Sequence, residues 1–480
     1  MSSKIKILGL FTGPLIFLIM YVGVRPEGLS TAGIGALAVT LWMAIWWVTE
    51  AIPIAATALL PIFLFPLTGT MDISMTTAAF GHKYVFLYLG GFILAIAIEK
   101  WNLHKRIALN IIAFMGVRPS MIIMGFMVAT AFLSMWISNT ATSVMMLPIG
   151  MAVVSQFQRK PDEPLNGPFG KALMLSIAYS ASIGGIATLI GTPPNLVFAG
   201  VVKEYYGIEI SFAQWMMLGL PVSVILLVVC WYYLTHLAFN IKALEWEGDQ
   251  QEVLDLKRSL GNIGKEERIV LIVFLCTATL WIFRSLIEKL IPSLDDTVIA
   301  MIAGITLFII PSSKGGTPII QWEDSVRIPW GIILLFGGGM ALAEAFKFTG
   351  LALWIGSQIT MLEGMSLFVF LLILIAGVNL LTELTSNLAT TAMLLPVLVP
   401  VAASMNVAPL YLLVGATLAA SCAFMLPVAT PPNAVVFGSG YLRIPDMVKA
   451  GLVMNILSVF IITFLIYFFL SVFWDISIIH

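Results

Sequence analysis

The stretch WISNTATSVMMLPIG, residues 136–150, lies in one of the most apolar parts of the chain, yet it carries Ser138, Asn139 and Thr140 in a row, with Thr142 after one alanine. Nearly the same phrase returns at 383–397 as ELTSNLATTAMLLPV, with Ser386 placed 248 residues after Ser138. Hydrocarbon offers no hydrogen-bond partner, so a polar tip inside an apolar segment has to be buried in protein or face a wet cavity. The fold turns on what these two tips are for.

Composition supplies the frame. Hydrophobic residues make up 60% of the 480 positions and charged residues 10%, against roughly one half and one quarter in soluble domains. No soluble core could cover that much apolar surface, so the expected class is an all-α polytopic membrane protein. The net charge of −1 gives no basis for nucleic-acid binding. Cys230, Cys276 and Cys422 all fall in apolar runs and are expected as small core residues rather than a disulfide framework. Lys4 and Lys6 precede an apolar run at 8–24 that meets Arg25-Pro26-Glu27 with no small-residue cleavage pattern, so it is expected to stay as a first spanning helix.

Further apolar segments follow at 32–48, 52–67, 85–98, 173–189, 216–238, 269–290, 297–311, 332–346, 367–380, 410–426 and 452–473. Most approach the length needed to cross ~30 Å of hydrocarbon, although several are short or interrupted by Gly and Pro. The longest polar stretch, 240–268, divides the chain near its middle and reads as a cytoplasmic linker loop. The expected organisation is a first transmembrane helix at 1–29, a first repeat at 30–239, the linker at 240–268 and a second repeat at 269–480.

The repeat rests on three matches in order. YLGGFILAIAIEKWNL from Tyr88 aligns with FGGGMALAEAFKFTG from Phe336, placing Gly90 on Gly338 and Gly91 on Gly339, again 248 apart. LIGTPPN ending at Asn195 matches PVATPPN ending at Asn433, now 238 apart. The shortfall falls on QRKPDEPLNGPFGK at 158–171, a polar linker without a counterpart in the second half. Loop charge gives the orientation, since Lys and Arg favour the cytoplasmic side. Lys100, Lys105, Arg106 and Arg118 follow the first Gly-Gly segment, whereas the matching stretch holds only Lys347. Arg159, Lys160 and Lys171 follow the first Ser-Asn segment, whereas 402–410 has neither Lys nor Arg. The copies are therefore expected in opposite orientations, with a cytoplasmic N-terminus, an extracytoplasmic C-terminus and the cell membrane as location.

Both far ends of the arms flanking Ser138-Asn139, 121–137 and 141–154, carry positive loops, which makes the segment a hairpin with a re-entrant tip. The first arm is expected to end near Ser138 and to present carbonyls. The second starts near Thr140 and presents N–H groups. One tip then offers a cation site beside an anion site, the arrangement of secondary transporters. The prolines at 193–194 and 431–432 cannot complete a helix and are expected to leave the carbonyls of Gly191 and Ala429 facing an ion. All 24 Lys and Arg residues fall at loops or segment ends, so a midplane anion has no basic partner. Two helix N-termini contribute roughly +0.5 each, and bound alkali cations can supply the rest to oxygen ligands. Each solute then raises the affinity for the other.

A lone Ser-Asn-Thr has a simpler explanation, bonding back to its own helix or gluing helices together. Two copies at equal spacing, each followed by Pro-Pro-Asn, favour a site. Glu50, Glu344 and Glu383 are intramembrane carboxylates by position, a functional hypothesis by default, although Glu50 precedes a proline and can serve as a brace. His82, His104 and His236 sit at segment ends, as interfacial anchors do.

SNTAT and SNLAT, each followed by TPPN, with WWVTEAIP near the start, resemble the divalent anion/sodium symporter family, which includes the bacterial sodium/dicarboxylate transporters. The resemblance implies about eleven spanning helices plus two re-entrant hairpins, a homodimer in lipid, and a scaffold against which a transport domain moves as an elevator. It implies a first sodium site at Ser134, Ser138, Asn139 and the Gly191 carbonyl, and a second at Thr382, Thr385, Asn387 and the Ala429 carbonyl. Ser134 and Thr382 keep the 248 offset, which supports that pairing independently. Substrate carboxylates would meet Asn139, Thr140, Asn387 and position 388, with Thr192, Pro193, Thr430 and Pro431 closing the site. Leu388 breaks the doubled Ser-Asn-Thr pattern and cannot donate a hydrogen bond. The function implied is sodium-coupled import of C4-dicarboxylates such as succinate, malate or fumarate, with no enzymatic cofactor. An exchanger, or a sulfate or citrate carrier on the same scaffold, is the alternative. An intramembrane enzyme is disfavoured because the chain has no His-Glu-x-x-His, Gly-x-Ser-x-Gly or paired membrane aspartates. A channel is disfavoured by inverted repeats with broken helices.

Overall fold

The computed structural model describes residues 3–116, 118–156, 167–239, 241, 251–313, 315–358 and 365–474. Arg159, Lys160 and most of the first-half polar linker lie outside the described residues, as do much of the expected loop after Asn240 and the last six residues.

The described chain is helical throughout. It opens with α1 (Ser3–Leu18) and α2 (Thr31–Thr49), then a span broken into α3 (Ile54–Thr57) and α4 (Leu60–Thr68). Next come α5 (Ile73–Phe80), α6 (Lys83–Lys100) and α7 (Leu103–Phe114). The first hairpin is α8 (Pro119–Ser134) and α9 (Asn139–Gln156), followed by α10 (Pro168–Ile186), α11 (Pro193–Tyr206) and α12 (Phe212–Tyr232). Beyond α13 (Gln251–Ser259), the second half runs α14 (Lys265–Ile282), α15 (Arg284–Ile287), α16 (Asp296–Ile309), α17 (Trp330–Phe348) and α18 (Leu351–Gln358). The second hairpin is α19 (Leu367–Thr382) and α20 (Asn387–Ser404), and α21 (Pro409–Ala420), α22 (Pro431–Phe437) and α23 (Ile444–Phe473) complete the chain. Among the described residues, eight helices are long and apolar enough to cross a membrane, and the hairpin arms and half-helices supply shorter apolar pieces.

Local chemistry sets the boundaries. Ser30, Asp72 and Asp295 cap α2, α5 and α16, each side chain accepting from a backbone N–H in the first turn. Glu50 ends α2 in a left-handed conformation at φ 48°, three residues before Pro53. Pro148 lies inside α9, and Pro396 and Pro400 lie inside α20.

The aligned glycines do the same job in both halves. A Cβ on Gly90 would fall 2.6 Å from the backbone of Ala300, so α6 and α16 meet at main-chain distance. A Cβ on Gly338 would fall 2.4 Å from the Ala58 carbonyl oxygen, which seats α17 on the end of α3. Small residues allow such contacts, and dispersion between close backbones holds helices together where lipid gives no hydrophobic drive.

Two expectations need correction. His104 is buried rather than interfacial, with Nδ1 2.9 Å from the Ile98 carbonyl, because the turn at 101–102 brings the start of α7 against the last turns of α6 while α7 packs on α8. Cys276 is exposed on α14, unlike buried Cys230 and Cys422, because α14 turns that face outward.

The residue patterns also give no warning of a buried ionic cluster. Arg284, 7% exposed, lies between Glu209 (2.8 Å) and Asp296 (3.3 Å). Lys83 reaches Glu209 at 2.5 Å and Asp295 at 3.5 Å. Asp296 also accepts from the Phe212 backbone N–H at 2.7 Å, so the cluster ties the starts of α6, α12 and α16 to α15. Burial by itself raises the Glu209 carboxyl, but hydrogen bonds and charge from Lys83 and Arg284 hold it below the ordinary carboxylate range. Breaking such a cluster from one side strands a charge. Arg284→Met is therefore expected to cost about 3 kcal/mol, read as a fall in thermal midpoint in detergent; an unchanged midpoint would show the cluster to be well solvated.

Candidate functional site

Each hairpin breaks at its tip over four residues, 135–138 and 383–386, between the end of one arm and the start of the next. Ser138 and Ser386 occupy the N-cap position, their carbonyls accepting from Thr142 N–H at 3.0 Å and Thr390 N–H at 2.9 Å. Helices α9 and α20 thus begin at Asn139 and Asn387, each pointing a positive helix end at the break. The arms α8 and α19 end beside them, turning helix dipoles of the opposite sign toward the break.

Each tip is then tied to a second broken helix by one repeated pattern. Ser134 Oγ lies 2.6 Å from Asn139 Oδ1 and 2.7 Å from the Ala181 carbonyl. Thr382 Oγ1 lies 2.8 Å from Asn387 Oδ1 and 2.9 Å from the Ala420 carbonyl. A hydroxyl carries a single proton, so it cannot fully satisfy two acceptors at once. Three oxygens crowd together at each tip, and hard oxygen donors so arranged fit an alkali cation. Gly185 keeps the first cluster open. A Cβ there would fall 2.6 Å from Asn139 Oδ1 and 3.1 Å from the Gly191 carbonyl oxygen, which places those two oxygens around one point.

The Pro-Pro-Asn segments stand at the downstream edge of each helix break. The prolines do not stop the preceding helices, since α10 has ended at Ile186 and α21 at Ala420. They begin α11 and α22, where a missing N–H costs nothing because no carbonyl precedes it. The breaks, with Gly191 and Ala429 inside them, are held by the asparagines. Asn195 Nδ2 donates to the carbonyls of Gly185 (3.1 Å) and Thr188 (2.7 Å). Asn433 Nδ2 donates to those of Ala423 (3.3 Å) and Leu426 (3.0 Å), the positions that match.

These parts converge on one cavity of about 800 Å³. Ser138, Asn139, Thr140, Gly191, Thr192 and Pro193 line it from the first half. Thr385, Asn387, Leu388, Ala429, Thr430 and Pro431 line it from the second. Of the expected residues, only Ser134 and Thr382 stand back from the wall, fully buried and reaching the cavity through Asn139 and Asn387. The Thr385 hydroxyl turns into its own hairpin, donating to the Leu381 carbonyl at 2.9 Å and pairing with Thr390 at 2.6 Å. Thr140 is exposed while Leu388 is buried at 4% exposure, so the tips differ just where their sequences differ. Tyr88 and Phe92 of α6 and Ile332 and Leu335 of α17 also face the cavity. Nothing in their apolar surroundings marked them in the sequence.

Among the described lining residues there is no Lys, Arg or His, and the one carboxylate is Glu50 at the rim, 3.3 Å from Lys6. Two broken hairpins and two broken helices face one another across a cavity without fixed positive charge, the arrangement in which secondary transporters place their solute site. The chain belongs to the family defined by the sodium:sulfate symporter transmembrane region, which matches residues 4–477. It is 44% identical over 474 residues to the sodium-dependent dicarboxylate transporter SdcS of Staphylococcus saprophyticus, covering 96% of this chain and 91% of that one. It is 42% identical over 476 residues to SdcS of Staphylococcus aureus strain USA300, covering 97% and 92%. The fold is shared with solved transporters of low identity. The YdaH transporter of Alcanivorax borkumensis superposes with a TM-score of 0.61 at 12% identity over 98% of each chain. MtrF of Neisseria gonorrhoeae gives 0.61 at 12% identity over 96% of this chain and 97% of that one.

Gly185→Ala is expected to push the Asn139 carboxamide off its oxygen cluster and to weaken sodium binding on the order of tenfold, as loss of ligand orientation does at metal sites. Sodium-dependent thermal stabilisation checks this; an unshifted titration would place the first cation elsewhere.

Proposed function

We propose that the chain is a sodium-coupled symporter of C4-dicarboxylates, carrying succinate, malate or fumarate into the cell. The observation that carries this reading is the single cavity shared by both Ser-Asn tips and lined by no basic residue among those described. Two helix N-termini supply roughly one positive charge between them, about half of what a dianion requires. A buried remainder would cost several kcal/mol per charge. Sodium ions at the two tips offset it, and this makes cation and anion binding mutually dependent. The relatives' printed name, sodium-dependent dicarboxylate transporter, supports the same pair of solutes.

In this reading the first sodium is held by Ser134, Ser138, Asn139 and the Gly191 carbonyl. The second is held by Thr382, Asn387, the Thr385 main chain and the Ala429 carbonyl. Asn139 and Thr140 take one carboxylate and Asn387 the other, with Thr192, Pro193, Thr430 and Pro431 closing the site. Leu388 gives the second end no side-chain donor, so its carboxylate relies on the α20 helix end and on sodium. The first and second repeats sit in the cell membrane in opposite orientations, the N-terminus is cytoplasmic, and the protein works as a homodimer whose transport domain moves as an elevator. The chemistry is transport without catalysis.

Uptake of labelled succinate into proteoliposomes tests the reading. Uptake is expected with an inward sodium gradient and to fall to background when sodium is replaced by potassium or choline. Uptake that needs internal dicarboxylate instead of sodium would identify an exchanger, and competition only by sulfate or citrate would reassign the solute. Asn139→Ala and Asn387→Ala are each expected to reduce uptake to background while leaving the protein folded and inserted; normal transport in either would remove the site assignment.

A further inference from the structure

Glu383 lies at the second tip, between Thr382 and Thr385, and is 3% exposed. No ion pair reaches it among the described residues. Its carboxylate is instead surrounded by N–H donors. Oε1 accepts from the backbone of Phe424 (2.7 Å) and Met425 (2.9 Å) and from Asn455 Nδ2 (2.8 Å), and Oε2 accepts from Leu426 N–H (3.0 Å). Three consecutive backbone donors thus come from the break between α21 and α22, the break that carries Ala429. The Leu426 carbonyl in turn accepts from Ala429 N–H (3.1 Å) and from Asn433 Nδ2 (3.0 Å). Glu383 is therefore two hydrogen bonds from Ala429, whose carbonyl is assigned above to the proposed second sodium site.

The first repeat performs this task without charge. Met135 matches Glu383 at the 248 offset, and Thr188 matches Leu426 at the 238 offset. There the Thr188 hydroxyl donates to the Met135 carbonyl (2.5 Å), while Gly191 N–H reaches Thr188 Oγ1 (3.1 Å) and its carbonyl (3.3 Å). The linkage is the same: hairpin tip, then the residue at 188 or 426, then the carbonyl-bearing residue at 191 or 429. One version is a neutral hydroxyl–carbonyl pair and the other a buried carboxylate.

A buried carboxylate is costly without an opposite charge, and N–H dipoles offset only part of it. We infer that Glu383 is a positioning residue that orients the Ala429 carbonyl and gives the second sodium site a fixed negative charge that the first lacks, so that the two sites are unequal and the second fills at lower sodium. This rests on the sodium-coupled reading above. It adds an order of filling: sodium first at the Thr382–Asn387 tip, then the second sodium and the dianion.

Three full-length variants test it by sodium titration of thermal stability in detergent and of uptake in proteoliposomes. Glu383→Gln keeps the size and loses the charge. Glu383→Asp keeps the charge with a shorter reach. The double variant Glu383→Met with Leu426→Thr copies the neutral linkage of the first repeat. Loss of charge is expected to move the sodium midpoint upward at least about tenfold and to raise the Hill slope as the two sites become alike, with the substrate KM at saturating sodium changed less than threefold. Asp is expected to retain much of the sodium affinity. A wild-type sodium midpoint in Glu383→Gln or in the double variant overturns the inference, as does equal loss in the Asp and Gln variants. Should Gln fail to fold, the Asp variant and the double variant carry the comparison. Absence of any sodium effect in the unmodified protein would instead overturn the transport reading itself.

Discussion

An interrupted helix in hydrocarbon has nowhere to send its unpaired backbone groups, and the architecture answers that constraint. The breaks at 135–138 and 383–386 lie against α10 and α21 and the breaks that follow them, and each tip is tied to the facing helix by one hydroxyl bonded both to an asparagine and to a carbonyl. Without Ser134 and Thr382 the tips would lose their alignment with the facing helices. The cavity wall would then be a set of stray dipoles instead of a binding surface. Close contacts at Gly90 and Gly338 keep the surrounding helices near enough for the four breaks to meet.

Much of this was legible in the sequence, because the features that break a membrane helix are themselves local and polar. The Ser-Asn triplets, the Pro-Pro-Asn segments and their constant offsets could be read without any knowledge of packing. The residues that escaped depend on tertiary neighbours. Arg284 reads as the charged end of a segment, and only the folded chain brings Glu209 and Asp296 to it. Tyr88 and Phe92 look like any lipid-facing aromatics until α6 is placed against the tips. The prolines at 193 and 431 mark the breaks in the sequence, and in the fold they begin the next helices, since a fixed φ and a missing N–H suit a first turn. His104 was misplaced for a related reason: amphipathic α7, with charges on one side only, carries no signal long enough to mark a helix packed on α8.

The duplicated halves share a plan but not every residue. Thr140 answers to Leu388, Gly185 to Ala423, and Met135 to Glu383. Each difference falls within reach of a tip, whereas the hydroxyl–asparagine–carbonyl tie is kept in both. The shared parts are those that hold backbone in place.

The prolines inside the hairpins have a mechanical consequence. Pro148 in α9 and Pro396 in α20 stand at the same offset as the tips, and each removes one rung from the ladder of its arm, where Val144 and Ala392 lose their usual donors. A helix yields most readily where a rung is missing. Each hairpin thus pairs a tip held by side-chain hydrogen bonds with a shaft whose least resistance to bending lies at its proline.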